Sequence, residues 1–289
     1  MLKKILIACF LLPVALTCAA EQKYAVKGMV LKIDAPNKTL VVSCQDIPGY
    51  MEAMAMPFHV RDTKELEGLT PGTPIAFTLV VESDKSFAES IQAQPYQGLE
   101  VDPLTARRLK LLNQATNPNA PKMLAIGDRV PDFTLLDQNR QQIAFAKFAG
   151  EVVALNFIYT RCALPDFCFR SSNNFGQLQK RFKENLGKNL ILLTVTFDPA
   201  HDQPDALQKY AETWKADSRS WHFLTGSSED VRRVCDLFGV DAYPDEGLMN
   251  HSLHTVVIDR KGNLAANLEG NQFTSAQLGD LVQTVLDRR

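Results

Sequence analysis

The stretch EVVALNFIYTRCALPDFCFR, residues 151–170, decides the fold. Residues 152–159 form a nearly continuous apolar run, the pattern of a strand buried on both faces of a sheet. Two cysteines, Cys162 and Cys168, follow with five residues between them. They fall in a loop at the carboxyl end of that strand, the edge where open α/β sheets bind ligands. Pro165 and Asp166 point to a helix start that leaves Cys168 near its first turn, where the helix dipole and free N–H groups favour a thiolate. On spacing alone, a structural disulfide, a redox pair and two arms of a metal site all stay open.

Towards the C-terminus, strands and helices alternate. FGQLQKRFKENL carries Phe175, Leu178 and Phe182 at helical spacing; NLILLTVTF reads as the next strand and PDALQKYAETWK as a helix. WHFLTG is a short strand, and SSEDVRRVCDLFG a helix with a Ser228-Glu229-Asp230 cap pattern and a stop at Gly239. HTVVID and NLAANLE flank a turn at residues 259–262, and TSAQLGDLVQTVLDRR is a last helix. This order predicts an α/β domain of thioredoxin-like fold over residues 125–289.

Towards the N-terminus the pattern is β. YAVKGMVLKID, a turn at residues 35–38, TLVVSC, MAMPFHV, PIAFTLVVES and AESIQA supply five short strands, predicting a small OB-like barrel over residues 21–92. Residues 93–124, rich in Pro, Asn, Gln and Ala, read as a linker with a short helix at 102–112. The first 20 residues, MLKKILIACFLLPVALTCAA, have the basic start, apolar centre and small-residue end of a secretory signal. Their apolar centre of about 13 residues falls short of the ~20 needed to span a bilayer. The expected location is periplasmic or otherwise extracytoplasmic after cleavage, with membrane anchoring or lipid attachment at Cys18 as alternatives.

A net charge of −2 without a basic block argues against nucleic acid as a partner. Cys44, Cys162, Cys168 and Cys235 remain once the signal is removed, too few and too scattered for a disulfide scaffold. Cys235, on an apolar helical stripe with Val231, Val234 and Phe238, is expected to be buried and inert. Redox chemistry usually uses a tight Cys-x-x-Cys, which is absent here. Two thiolates with one imidazole make a soft, low-coordinate set suited to Cu(I). Of five histidines, His251 and His254 lie in MNHSLHTVVID, in a loop expected beside the cysteine edge.

RCALPDFCFR, TVTFDPAHDQP, WHFLTG and NHSLHTVVID, in that order, resemble the Sco (SenC-type) copper chaperones. The resemblance implies copper ligands at Cys162, Cys168 and His251, with Asp198 in the outer shell or a docking surface. It further implies Cu(I) cargo, with Cu(II) as an alternative state, and service to the copper centre of cytochrome c oxidase. A copper-subunit acceptor and a thiol reductant would be the partners. Two departures stand out: the family spacing is Cys-x-x-x-Cys-Pro, whereas this chain has two more residues between the cysteines and Phe169 in place of proline. A thiol–disulfide reductase is the enzymatic alternative, and a copper-detoxifying or copper-sensing binder the third.

CQDIPGYMEAMAMPFHV resembles the small periplasmic copper chaperone of the Cus efflux system. By position, the likeness implies methionine ligands at Met54 and Met56, Met51 where an aromatic cap stands, and Cys44 in place of the histidine. The alternation of Met54, Met56, Phe58 and Val60 equally suits one core-facing side of a strand.

Overall fold

The computed structural model describes residues 21–82, 85–94, 123–162, 164–245 and 248–288. The expected signal, the lipid-attachment alternative at Cys18 and the expected linker helix lie outside these residues.

Five strands close the N-terminal barrel: β1 (Gln22–Asp34), β2 (Thr39–Cys44), β3 (Ala55–Val60), β4 (Pro74–Val81) and β5 (Ser86–Ala93), in the order β1-β2-β3-β5-β4. Alternation sets its inside: Leu40, Val42, Phe58, Val60, Ile75 and Leu79 are buried in one cluster. Gly28 sits opposite Cys44. A Cβ there would come within 2.7 Å of the Ser43 carbonyl oxygen, so the β1–β2 approach needs glycine.

The C-terminal domain is a seven-stranded sheet in the order β14-β13-β8-β9-β10-β6-β7. Its strands are β6 (Thr134–Asp137), β7 (Gln142–Ala144), β8 (Val152–Ile158), β9 (Leu190–Thr196), β10 (Trp221–Thr225), β13 (His254–Ile258) and β14 (Leu264–Glu269). β8, β9 and β10 run parallel, and β13 returns antiparallel against β8. This is the thioredoxin-like α/β arrangement. Every residue of β8 and β9 is buried because helices cover both faces. Helices α1 (Arg170–Arg181), α2 (Pro204–Thr213) and α4 (Ser275–Leu286) pack on one face through Phe175, Leu207 and Val282. Helix α3 (Ser228–Phe238) packs on the other through Val231, Val234 and Phe238.

Three local differences from the sequence reading follow from hydrogen bonding that hydrophobic periodicity does not reveal. The β6–β7 hairpin is an additional edge of the sheet. The cap of α3 is Ser227, whose hydroxyl accepts the Asp230 N–H, one residue before the expected start; the stop at Gly239, at φ 77°, stands. His251 ends not a loop but a two-stranded ribbon, β11 (Ala242–Asp245) with β12 (Leu248–His251).

The barrel and the sheet domain share a core. Met29 and Leu31 of β1 are buried in the cluster that holds Leu268, Leu278 and Val282, with Val41 of β2 against it. Ser43 Oγ donates to Asp280 at 2.6 Å, and Gln277 Nε2 donates to the Ser43 carbonyl at 3.2 Å. Gln277 also closes the capping box of α4 with Thr274.

Candidate metal centre

β8 ends at Ile158, and the chain leaves the sheet through Tyr159 and Thr160 to reach Cys162. An irregular π-type turn, Pro165–Phe169, then carries Cys168 into α1. Asn271 Nδ2 donates to the Asp166 carbonyl and secures this turn from the α4 side.

The two thiols act on one another and are unequal. Cys162 is half-buried, whereas Cys168 is 1% exposed. A hydrogen bond from the Cys168 thiol holds Cys162 far below the ordinary thiol range, to about 4, against the opposing cost of burial; a bond with His251 adds to the effect. Cys168 is pushed well up by giving its proton to that bond and by burial. The sequence expectation of a low-pKa Cys168 is therefore reversed. Cys168 does lie just before the regular helix, which starts at Arg170 after a kink at Phe167, but the bond to Cys162 and burial outweigh what that helix end offers a thiolate.

His251 reaches Cys162 from the ribbon and is buried. Its ring lies against Phe197, with centroids 4.6 Å apart, and meets Tyr159 edge-on at 5.7 Å. Nδ1 is 3.1 Å from the Ser252 carbonyl oxygen. A carbonyl only accepts, so Nδ1 carries the proton of that bond, and Nε2 is the nitrogen left to face Cys162 or to serve as a metal ligand. Burial, followed by the nearby Cys162 and Cys168 charges, pushes the Tyr159 hydroxyl up to about 12.

The donor types fit a soft monovalent ion: a thiolate, a thiol that binding would deprotonate, and a neutral imidazole nitrogen. Among the described residues no three His, Cys, Asp or Glu side chains are gathered tightly enough to hold an ion without movement. The contacts run pairwise through Cys162. Among the described residues, the ribbon bearing His251 pairs with no other strand, and a cavity of about 420 Å³ lined by Phe197, Tyr243, Pro244 and Met249 lies against it. His254, the other candidate, bonds Asn267 Oδ1 through Nδ1 at 2.9 Å.

Asp198 is buried at the rim. Its Oδ2 accepts from Arg161 at 2.7 Å and its Oδ1 pairs with His201 Nδ1 at 2.8 Å. It therefore ties the residue preceding Cys162 to the loop after β9. Sequence reasoning missed Asp202, which is fully buried and bonds Thr160 and Thr196. Nothing in the string AHDQP marks its burial. Cys235 is buried as expected, and burial raises its thiol pKa.

At the barrel mouth, Met56 pairs with Val42 across β2 and β3, and the Cys44 N–H donates to the Met54 carbonyl. Directly opposed residues of an antiparallel pair share a face, so Cys44, Met54 and Met56 line one side. Met54 is 53% exposed, Met51 and Met56 are half-buried, and Cys44 is buried with its thiol pushed up to about 12. Tyr24 and Tyr50 stack at 4.2 Å, adding aromatic surface beside the Met51 segment.

Comparison with known proteins matches two family models along the chain. The SCO1/SenC family covers residues 123–286, and the family described as copper binding periplasmic protein CusF covers residues 23–93. The SCO1 protein homolog of Bacillus subtilis is 33% identical over 35% of this chain and 50% of its own length. A protein of Stutzerimonas stutzeri named for binding copper is 30% identical over 57% of this chain and 79% of its own. The chain thus spans half the length of the Bacillus relative. The crystal structure of Arabidopsis thaliana ScoI with copper bound aligns with a TM-score of 0.49 at 22% identity, covering 57% of this chain and all of that one.

Proposed function

The chain belongs to the SCO1/SenC family, and from that premise we propose that it is an exported carrier of Cu(I), holding the ion with Cys162, Cys168 and His251. What supports this reading is that the Cys168 thiol and the His251 ring both act on Cys162 to hold its thiol far below the ordinary range. The Cys162 thiolate takes the incoming ion first. Cys168 then loses its proton to bind, and the Nε2 lone pair of His251 completes the set as the ribbon closes. Release to an acceptor, such as the copper subunit of cytochrome c oxidase, runs the same ligand substitutions in reverse. Asp198 and Arg161 form the rim that an acceptor meets.

The barrel serves as a second Cu(I) station through Met54 and Met56, with Cys44 beneath them and Met51 at the cap position. Soft thioethers favour Cu(I) over harder ions. The apolar N-terminal stretch and the likeness to a family described as periplasmic support an extracytoplasmic location.

Copper counting on the reduced full chain tests the C-terminal site. The Cys162→Ser, Cys168→Ser double variant is expected to lose one copper equivalent. Unchanged content in a folded variant overturns the reading.

The thiolate–thiol asymmetry also favours a second reading, reduction of a disulfide in a copper-site protein. Cys162 sulfur attacks the partner disulfide and expels one partner thiolate. Cys168 then loses its proton and displaces the other, leaving a Cys162–Cys168 disulfide and a reduced partner. A thiol reductant restores the pair. This route does not need His251, so retained cellular function in His251→Ala favours it over metal carriage.

A further inference from the structure

We infer that Asp202 is a positioning residue for the cysteine site, holding the segment that carries Cys162 through two bonds to Thr160. The inference rests on the reading of Cys162 as a ligand or nucleophile.

Three donors converge on the Asp202 carboxylate, which is fully buried. The Thr160 N–H donates to Oδ2 at 3.0 Å, and the Thr160 hydroxyl donates to Oδ1 at 2.5 Å. The Thr196 hydroxyl donates to Oδ2 at 2.5 Å and itself accepts the Asp198 N–H at 3.0 Å. An ionised carboxylate only accepts, so both oxygens are committed and Thr160 is fixed in position and orientation. A buried charge is costly unless bonded in this way. Its grip on Thr160, two residues before Cys162, makes loop retention its evident consequence.

On this side the loop is also held by Arg161, whose guanidinium donates to Asp198 Oδ2 at 2.7 Å, a side-chain tie where Asp202 holds the backbone of Thr160. Cys162 N–H bonds the Tyr159 carbonyl at 3.3 Å, a bond internal to the loop. The far side is held separately, by Asn271 at the Asp166 carbonyl. Asp202 is itself fixed by its N–H to the Asp198 carbonyl at 2.9 Å. One carboxylate thus joins the cysteine loop to the Asp198–Arg161 rim, and the bite between Cys162 and Cys168 depends on it.

The test compares Thr160→Val, which removes the hydroxyl donor at constant shape, with Thr160→Ser, which keeps it, and with Asp202→Asn. Thr194→Val serves as the control. Thr194 lies on the same strand as Thr196 and makes buried bonds to Asn156 and Trp221, and among the described residues none to the loop. Two readouts are taken on the full reduced chain: Cu(I) affinity by chelator competition, and the rate of Cys162 alkylation without metal. Thr160→Val and Asp202→Asn are expected to weaken copper binding roughly tenfold and change the alkylation rate, with Thr160→Ser near wild type. Thr194→Val should lower the melting temperature and leave both readouts unchanged. Should Asp202→Asn fail to fold, the Thr160 pair decides the matter. Wild-type affinity and alkylation in Thr160→Val, with only its melting temperature lowered, overturns the inference. A wild-type chain that takes no copper overturns the carrier reading instead, and the alkylation comparison still tests Asp202.

Discussion

The His251 ring packs on Phe197 at 4.6 Å, with 37° between the planes. Phe197 follows β9 and His251 ends β12, so a residue of the rigid sheet edge sets the tilt of an imidazole carried by a separate ribbon. Phe197→Leu keeps an apolar side chain at a buried position but removes the flat surface. Its expected cost in stability is about 1–2 kcal/mol. Copper affinity should fall roughly tenfold, as when an outer-shell partner is lost. Chelator competition and thermal melting together check the separation of the two effects.

The unequal thiols give a pH signature. Cys162 ionises lower in the folded chain than in the unfolded one, so its thiolate stabilises the fold fully above the ordinary thiol range. That contribution declines as pH falls and is gone below about 4. Cys168, Cys44 and Cys235, all raised, are protonated in both states below the ordinary range and contribute no slope there. Between pH 5 and 8, the stability of the reduced chain relative to Cys162→Ser should therefore rise with pH. Denaturant midpoints measured across that range check the sign. Cys162 alkylation should stay fast down to mildly acidic pH.

Much of this was legible in the sequence, for identifiable reasons. Apolar runs such as VVALNFI and LILLTVT can only be central strands once helices flank them, so the α/β order followed. Turn residues at 35–38 marked the β1–β2 hairpin of the barrel. The cysteine spacing announced a site, and His251 came from the resemblance. Hidden were features set by a few hydrogen bonds: the ribbon 242–251, whose residues show no alternation, and the burial of Asp202. Pro165 suggested a helix start, yet the turn it opens is not α-helical; the thiolate assignment missed the burial of Cys168 and its bond to Cys162, which the sequence does not display.

The shared core between barrel and sheet domain predicts joint unfolding. Leu31 is buried against the C-terminal domain, so Leu31→Asp places a charge where no water reaches. A loss of about 3 kcal/mol or more is expected. Wild type should unfold in one denaturant transition and Leu31→Asp in two, as monitored by barrel and sheet signals separately.

The barrel station predicts independent copper loading. Met54→Leu with Met56→Leu preserves apolar volume at the mouth and removes both thioethers. Copper content of the reduced full chain should drop by one equivalent, while Cys162 alkylation stays at the wild-type rate. Met54 is exposed, so the fold should tolerate the change.

The most direct test of the carrier reading is X-ray absorption at the copper edge on the chain loaded with one equivalent of Cu(I), in a variant lacking Met54 and Met56. Two sulfur neighbours and one nitrogen are expected, with the nitrogen lost in His251→Ala and the sulfurs lost in the Cys162, Cys168 double variant. An unchanged coordination shell in folded His251→Ala would contradict the account.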